Sequence, residues 1–263
     1  MSHPKPSESG SPRRRRIERE FGVPVPGEIL PEDRWTRTAL HPLPLGHWSF
    51  AEMFGRAAPV VLDIGCGNGR SVLSSAVQRP EFDHVGTDIL PVVIRYATRR
   101  ANQRGLANTR FAVIGGRELL ASHIAPGTVR EIHVYHPQPY YRVEEIGRRL
   151  LTPEFLGLAH AALEPGGLFV VQTDHAAYWS YLQKTMSALF LLTPQLERWP
   201  DAPKGRTRRE IIALREGLPV FRGVGVRREG VDVAGIVEGL PAPTFVAEKD
   251  KRWEAVERME REG

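Results

Sequence analysis

From Pro59 onward the chain alternates short apolar runs with amphipathic stretches long enough for helices. That pattern predicts an α/β fold, a mostly parallel sheet with helices on both faces. Strands fall at 60–64, 84–88, 110–114, 131–135 and 168–173, with a further one at 221–226; helices fall between them at 70–79, 91–104, 116–124, 153–163 and 176–189. Three signals agree on the start of the fourth helix in Thr152-Pro153-Glu154. They are a hydroxyl that can cap, a proline at the first helical position and an acid in the first turn.

The flanks break this pattern. Residues 1–20 are rich in Ser, Pro and Gly, include Arg13-Arg14-Arg15-Arg16, and hold few apolar groups to offset ordering entropy, which predicts a disordered basic arm. Residues 21–58 are interrupted by proline and read as an irregular segment lying across the domain without strands of its own, anchored by Trp35, Trp48, Phe50 and Phe54. The body is one domain over residues 59–246, Arg-rich and broken by Gly and Pro from 194 to 220. Residues 247–263 form a charged helix with Trp253, Val256 and Met259 as a thin apolar stripe on the surface.

The most informative stretch is Val60-Val61-Leu62-Asp63-Ile64-Gly65-Cys66-Gly67-Asn68-Gly69, an apolar strand running into a turn with glycine at alternate positions and then a helix. Glycines allow a sharp turn and close backbone approach to a ligand at the carboxyl end of a parallel strand. A dinucleotide site would favour Gly-x-Gly-x-x-Gly aimed at a pyrophosphate. Here an acid, Asp63, precedes the loop, which favours S-adenosylmethionine, a cofactor without phosphate that carries a cationic amino group. Asp88 ends the next strand, where a carboxylate can accept hydrogen bonds from both ribose hydroxyls. Cys66, between two loop glycines, suits packing beside the cofactor better than nucleophilic attack on a base.

Composition narrows the setting. A single cysteine excludes an internal disulfide framework and structural zinc, and predicts a reducing, cytoplasmic environment. With no apolar run near the ~20 residues of a spanning helix, the chain is expected to be neither secreted nor membrane-embedded. Of the net charge of +5, residues 1–20 contribute +3, from six basic and three acidic residues, so the body is only mildly basic. The charge is unevenly placed: residues 89–117 hold six arginines and no acid, and residues 198–228 hold nine basic residues against three acids. Either stretch can present an RNA-facing patch or a solvated helix face.

The strand at 131–135 leads into His136-Pro137-Gln138-Pro139-Tyr140-Tyr141-Arg142, then Arg148-Arg149 and Pro153-Glu154-Phe155. Further on come Pro165-Gly166-Gly167, Gln172-Thr173-Asp174, a helix with Tyr178 and Trp179, and Thr207-Arg208-Arg209-Glu210. Over residues 59–228 this series resembles the tRNA (guanine-N7-)-methyltransferase family, which has a Pro-Asp-Pro-Trp segment, an Arg-Arg pair and a Thr-x-x-Glu segment. The Gly loop and Pro-Gly-Gly are common to many methyltransferases; the Pro-x-Pro-aromatic, Thr-Asp and Thr-x-x-Glu combination is more specific.

The resemblance implies a Rossmann-like class I methyltransferase fold and transfer of methyl from S-adenosylmethionine to N7 of a guanine in tRNA, in the variable loop. It implies that Asp63, Gly65, Gly67 and Gly69 hold the methionine part, Asp88 the ribose, and the backbone at Gly115 the adenine. Arg142, Asp174, Thr207 and Glu210, with Arg208 and Arg209 of the basic stretch, would address the tRNA or its base. Two positions depart from the pattern: Gly115 stands where the family usually has an acid, and Gln138 where it has the aspartate of Pro-Asp-Pro-Trp.

Guanine N7 presents an in-plane lone pair and loses no proton on methylation, so no general base is required. Alignment and charge complementary to a cationic purine suffice, with Gln138 orienting the base and Asp174 supplying the negative charge. Tyr140 and Tyr141 are candidates for stacking on the base, and His136 for either packing or function. Two rivals remain open. Pro137-Gln138-Pro139-Tyr140 is also similar to the Asn-Pro-Pro-Tyr segment of amino-methyltransferases, and Gln138 fits a non-catalytic RNA-binding protein that keeps the fold.

Overall fold

The computed structural model describes residues 17–246 and 251–262, with side chains through Met259; the expected basic arm lies, as far as residue 16, outside the described residues. In chain order the elements are β1 (Arg19–Glu20), β2 (Val23–Pro24), α1 (Phe50–Phe54), β3 (Val60–Ile64), α2 (Arg70–Gln78), β4 (Asp83–Asp88), α3 (Pro91–Gln103), β5 (Thr109–Val113) and α4 (Gly116–Ser122). They continue with β6 (Val129–Tyr135), α5 (Pro153–Ala162), β7 (Leu163–Thr173), α6 (Ala176–Leu189), β8 (Phe190–Pro194), α7 (Arg208–Arg215), β9 (Phe221–Arg227), α8 (Val233–Gly239) and α9 (Lys251–Glu262).

Strands β3 to β9 form one seven-stranded sheet in the order β5-β4-β3-β6-β7-β9-β8. The first five positions are parallel, while β9 runs antiparallel to β7 and β8 antiparallel to β9. β3 is central because all five of its residues are buried, as a strand covered on both faces must be. One face packs Leu62, Ile64, Ile132 and Val134 against Phe155, Leu156, Leu182 and Met186 of α5 and α6. The other packs Phe111 against Val72 and Leu73 of α2 and Ile94, Ala97 and Ala101 of α3. The order in which strands are added reverses at β3, with β4 and β5 on one side and β6 and β7 on the other, which opens a crevice at their carboxyl ends. The Thr152 cap forms as expected, its Oγ1 accepting from Phe155 N at 3.2 Å.

The N-terminal region is more ordered than expected. Residues 17–20 do not belong to a free arm: β1 and β2 make a small hairpin, and Glu20 is buried. The reason is charge pairing, with Glu20 bonded to Arg70 and Arg100, and Glu18 to Arg100 and Arg104. The 21–58 segment, read as strandless, contains β2 and the short α1. Trp48 and Phe50 anchor it in the core, whereas Trp35 does not. Among the described residues, no helix is long and apolar enough to cross a membrane.

Candidate cofactor and acceptor site

The crevice holds a cavity of about 700 Å³. Its floor is the β3 turn, where Gly65, Gly67 and Gly69 adopt φ of 77°, 52° and 76°, a region that penalises any Cβ. A Cβ at Gly65 or Gly67 would point into open space, so these two positions leave the backbone accessible from the cavity. At Gly69 a Cβ would fall 2.7 Å from that of Ala97, so this glycine serves packing of the turn against α3.

Asp63 is 3% exposed and lines the cavity, yet neither carboxylate oxygen has a hydrogen-bond partner. Burial pushes its pKa up to about 7; the neighbouring Ser71 hydroxyl and Arg206 moderate the rise without reaching hydrogen-bond geometry, and Asp88 adds to it. A buried carboxylate without a partner is costly, and a ligand bearing an ammonium group relieves that cost. Asp88 is held differently, its Oδ2 accepting from Gly67 N at 3.1 Å and its Oδ1 from Leu90 N at 2.9 Å. These two bonds tie the glycine turn to β4 and fix the carboxylate at the cavity wall, with lone pairs left for a diol. Gly115 sits apart from this lining, at the end of β5 near Ile89. Burial and the charges of Asp63 and Asp88 push the Cys66 thiol up, consistent with an inert packing residue.

His136 and Gln138 line the opposite wall. His136 has a φ of 50°, unusual for a side chain with a Cβ, and is held there by a chain of hydrogen bonds. The Trp199 indole N–H donates to Gln172 Oε1 at 2.6 Å, which turns the Gln172 amide N–H toward His136 Nε2 at 2.8 Å. His136 Nδ1 meets Asp174 Oδ1 at 3.1 Å, so both ring nitrogens are committed. Gln138 is exposed, and its amide has no hydrogen-bond partner among the described residues.

Several expected roles are corrected here. Asp174 is buried and does not line the cavity; its other oxygen pairs with Arg209 at 3.0 Å. Burial opposes ionisation, but His136 and Arg209 outweigh it and hold the carboxyl well below its usual range. Its charge is thus consumed in positioning two lining residues and is not free to face a purine. Glu210 is 0% exposed, accepts from Arg206 N at 2.7 Å and pairs with Arg222, so it cannot meet a substrate. Thr207 lines the cavity but its Oγ1 accepts from Glu210 N at 3.0 Å, making Thr-x-x-Glu the N-terminal cap of α7. Arg208 lines the cavity while donating to Met259 O of α9, and Arg142 is exposed outside it. Tyr141 packs against His175 and Trp253, leaving Tyr140, half-buried, as the freer ring.

The arginine-rich 89–117 stretch also divides. Arg100 and Arg104 are buried in the pairs with Glu18 and Glu20, Arg117 pairs with Glu154, and Arg110 packs over Phe54. Arg95 and Arg99 of α3 remain exposed at the cavity rim.

One polar network escaped the sequence reading. Glu131, His133 and Tyr135 alternate along β6 and so share a sheet face. Arg206 donates to the Tyr135 hydroxyl oxygen at 2.8 Å, that hydroxyl meets His133 Nδ1 at 3.1 Å, and His133 Nε2 and Arg79 meet Glu131 at 2.9 and 2.8 Å. It anchors the loop before α7 beneath the cavity. The signal was present as Glu131, His133 and Tyr135 at period two, with apolar Ile132 and Val134 between them.

The family model described as "Putative methyltransferase" matches residues 57–222. A tRNA (guanine-N(7)-)-methyltransferase of Methylococcus capsulatus is 33% identical over 178 residues, 67% of this chain and 76% of its own length. The chain belongs to the tRNA (guanine-N7-)-methyltransferase family. A second relative bearing that name, from Arthrobacter, is 34% identical over 174 residues; the match takes in 65% of this chain and 54% of that protein, so the chain spans about half its length. The 16S rRNA methyltransferase KamB shares the fold, with a TM-score of 0.54 at 20% identity over 73% of this chain and 98% of its own. The hairpin, the 21–56 segment and α9 lie outside the matched residues, and none of their described residues lines the cavity.

Proposed function

We propose that the chain transfers a methyl group from S-adenosylmethionine to N7 of a guanine in tRNA, that this guanine lies in the variable loop, and that it does so in the cytoplasm. Family membership supports the reaction, and one observation in the site carries the assignment: the buried, partnerless Asp63 carboxylate beneath an open glycine turn. The residues present fit the donor. Asp63 would hold its ammonium group, the Gly65 and Gly67 backbone its methionine part, Asp88 its ribose hydroxyls, and the wall toward Gly115 its adenine.

When bound, S-adenosylmethionine supplies an electrophilic methyl on a sulfonium. Guanine N7 needs no deprotonation, and the acceptor wall offers no base: both His136 nitrogens are already engaged. Gln138 is the uncommitted polar side chain there, and its amide N–H donated to guanine O6 would align N7 without covering the lone pair. Asp174 acts through others, holding His136 and Arg209 in place. Arg95, Arg99 and Arg142 are exposed cations available to tRNA phosphates.

Incubation of bulk tRNA with a labelled methyl donor, followed by borohydride and aniline cleavage, tests this assignment. Cleavage at a single variable-loop guanine is expected. Label in tRNA that gives no cleavage argues for a different acceptor atom, and cleavage elsewhere argues for a different loop.

A further inference from the structure

A second cavity of about 520 Å³ lies beside the first, between the N-terminal segment and α3. Leu30, Glu32, Trp35, Tyr96, Arg99 and Gln103 line it, and Tyr96 and Arg99 also line the main cavity, so the two adjoin along α3. From these observations, and resting on the function proposed above, we infer that this groove is a nucleobase subsite. It would take one unpaired nucleotide of the tRNA flanking the target guanine, stacked on Trp35 and Tyr96, with its phosphate at Arg99.

The walls carry the chemistry that this ligand needs. Trp35 is 39% exposed and Tyr96 40%, whereas Trp48, Trp179, Trp199 and Trp253 are all 9% exposed or less. Trp35 thus presents far more of its ring to solvent than any other tryptophan of the chain. Arg100 lies over one face of Tyr96, 4.3 Å from the ring centroid, and the Tyr96 hydroxyl donates to Glu18 at 3.1 Å, so the ring is fixed while part of it stays open. Exposed, fixed aromatic faces are sequence-tolerant platforms for bases.

The groove is also preformed. Leu30 N donates to Gln103 O at 2.8 Å and Thr36 N to Asn102 O at 3.2 Å, clamping the segment on the end of α3. The Trp35 Nε1–H donates to Leu30 O at 2.9 Å and sets the indole. Little ordering would therefore be needed on binding. Charge gives the ligand a direction. Glu18 and Arg100 neutralise one another, and exposed Glu32 disfavours a phosphate at its end while it can accept from base N–H groups. Arg99, exposed and in no ion pair among the described residues, sits where the groove meets the main cavity, as a bridging phosphate requires. Trp35 lies outside the residues 57–222 that match the family model.

The other four tryptophans are buried, so acrylamide quenching of the full-length protein reports mainly on Trp35. Adding tRNA should remove that quenching. Trp35→Ala should weaken tRNA binding about fivefold or more, Trp35→Phe should restore most of it, and both should leave S-adenosylmethionine affinity unchanged. Arg99→Ala should lower the salt slope of tRNA binding by about one. If tRNA is methylated while Trp35 stays quenchable and Trp35→Ala binds like the parent, the subsite is refuted and the enzyme assignment stands. If tRNA is neither bound nor methylated, the assignment itself falls and takes the subsite with it.

Discussion

Replacing Asp63 with asparagine should make the ligand-free protein more stable at neutral pH while disabling it. An ordinary aspartate titrates near 4, and burial without a partner pushes Asp63 up to about 7. Between those values the folded protein keeps a proton that the unfolded chain has released, so stability falls as pH rises through that window. Above it the buried charge costs its full amount, on the order of 4 kcal/mol from the gap between the two values. Asp63→Asn removes the titration. Burying an amide adds its own cost, but that shifts the curve without changing its slope. Urea unfolding of parent and variant from pH 4 to 8 measures the difference, in which groups common to both cancel. Variant minus parent should climb by a few kcal/mol between pH 4 and 8, while the variant's affinity for S-adenosylmethionine drops tenfold or more. Parent affinity should rise with pH toward 7 as the carboxylate ionises, with proton release visible by calorimetry in buffers of different ionisation heat. A difference that is flat with pH would refute the claim that Asp63 lies unpaired and awaits a cation.

Other outcomes follow from the acceptor wall and the rim. Gln138→Ala should lower single-turnover methyl transfer with donor affinity nearly unchanged, and Gln138→Asp should alter the rate by less than about tenfold. Asp174→Asn should be more damaging than Gln138→Ala and should also lower unfolding stability by about 3 kcal/mol, because the buried charge that pairs with Arg209 is lost and only one of the two oxygens remains to accept. Glu210→Ala should cost about 3–5 kcal/mol in urea unfolding by stranding Arg222 and removing the acceptor of Arg206 N, with tRNA affinity per folded molecule unchanged. Arg95→Ala should flatten the salt dependence of tRNA binding measured by filter retention, whereas Arg117→Ala, whose charge is paired with Glu154, should not.

Much of the fold could be read from periodicity because a central parallel sheet needs uninterrupted apolar strands, and 60–64 appears as β3 with unchanged ends. What escaped had no punctuation or misleading punctuation. β8 follows α6 with no residue between Leu189 and Phe190, so the apolar pattern continues through a change of structure. β7 starts at Leu163, ahead of the expected 168, because Pro165-Gly166-Gly167 forms an irregularity within the strand, marked by a register shift between Val129 and Glu131 on β6. α7 was missed although Thr207-x-x-Glu210 is a helix-start pattern, since the resemblance had claimed both residues for substrate. At the site, the glycine turn and both aspartates were legible because local spacing encodes them. The Asp174–His136–Gln172–Trp199 chain was not, since its members meet only through tertiary packing. The same holds for the burial of Glu18 and Glu20 against arginines up to 86 positions away.

The most direct test of the central claim is mass-spectrometric analysis of nucleosides from undermodified tRNA incubated with the protein and S-adenosylmethionine. The account predicts 7-methylguanosine as the new product, formed by the parent and lost in Asp63→Asn. Methyl on the amino group of adenine or cytosine would contradict it in favour of an amino-methyltransferase, and tRNA bound but unmethylated would leave a non-catalytic RNA-binding protein in its place.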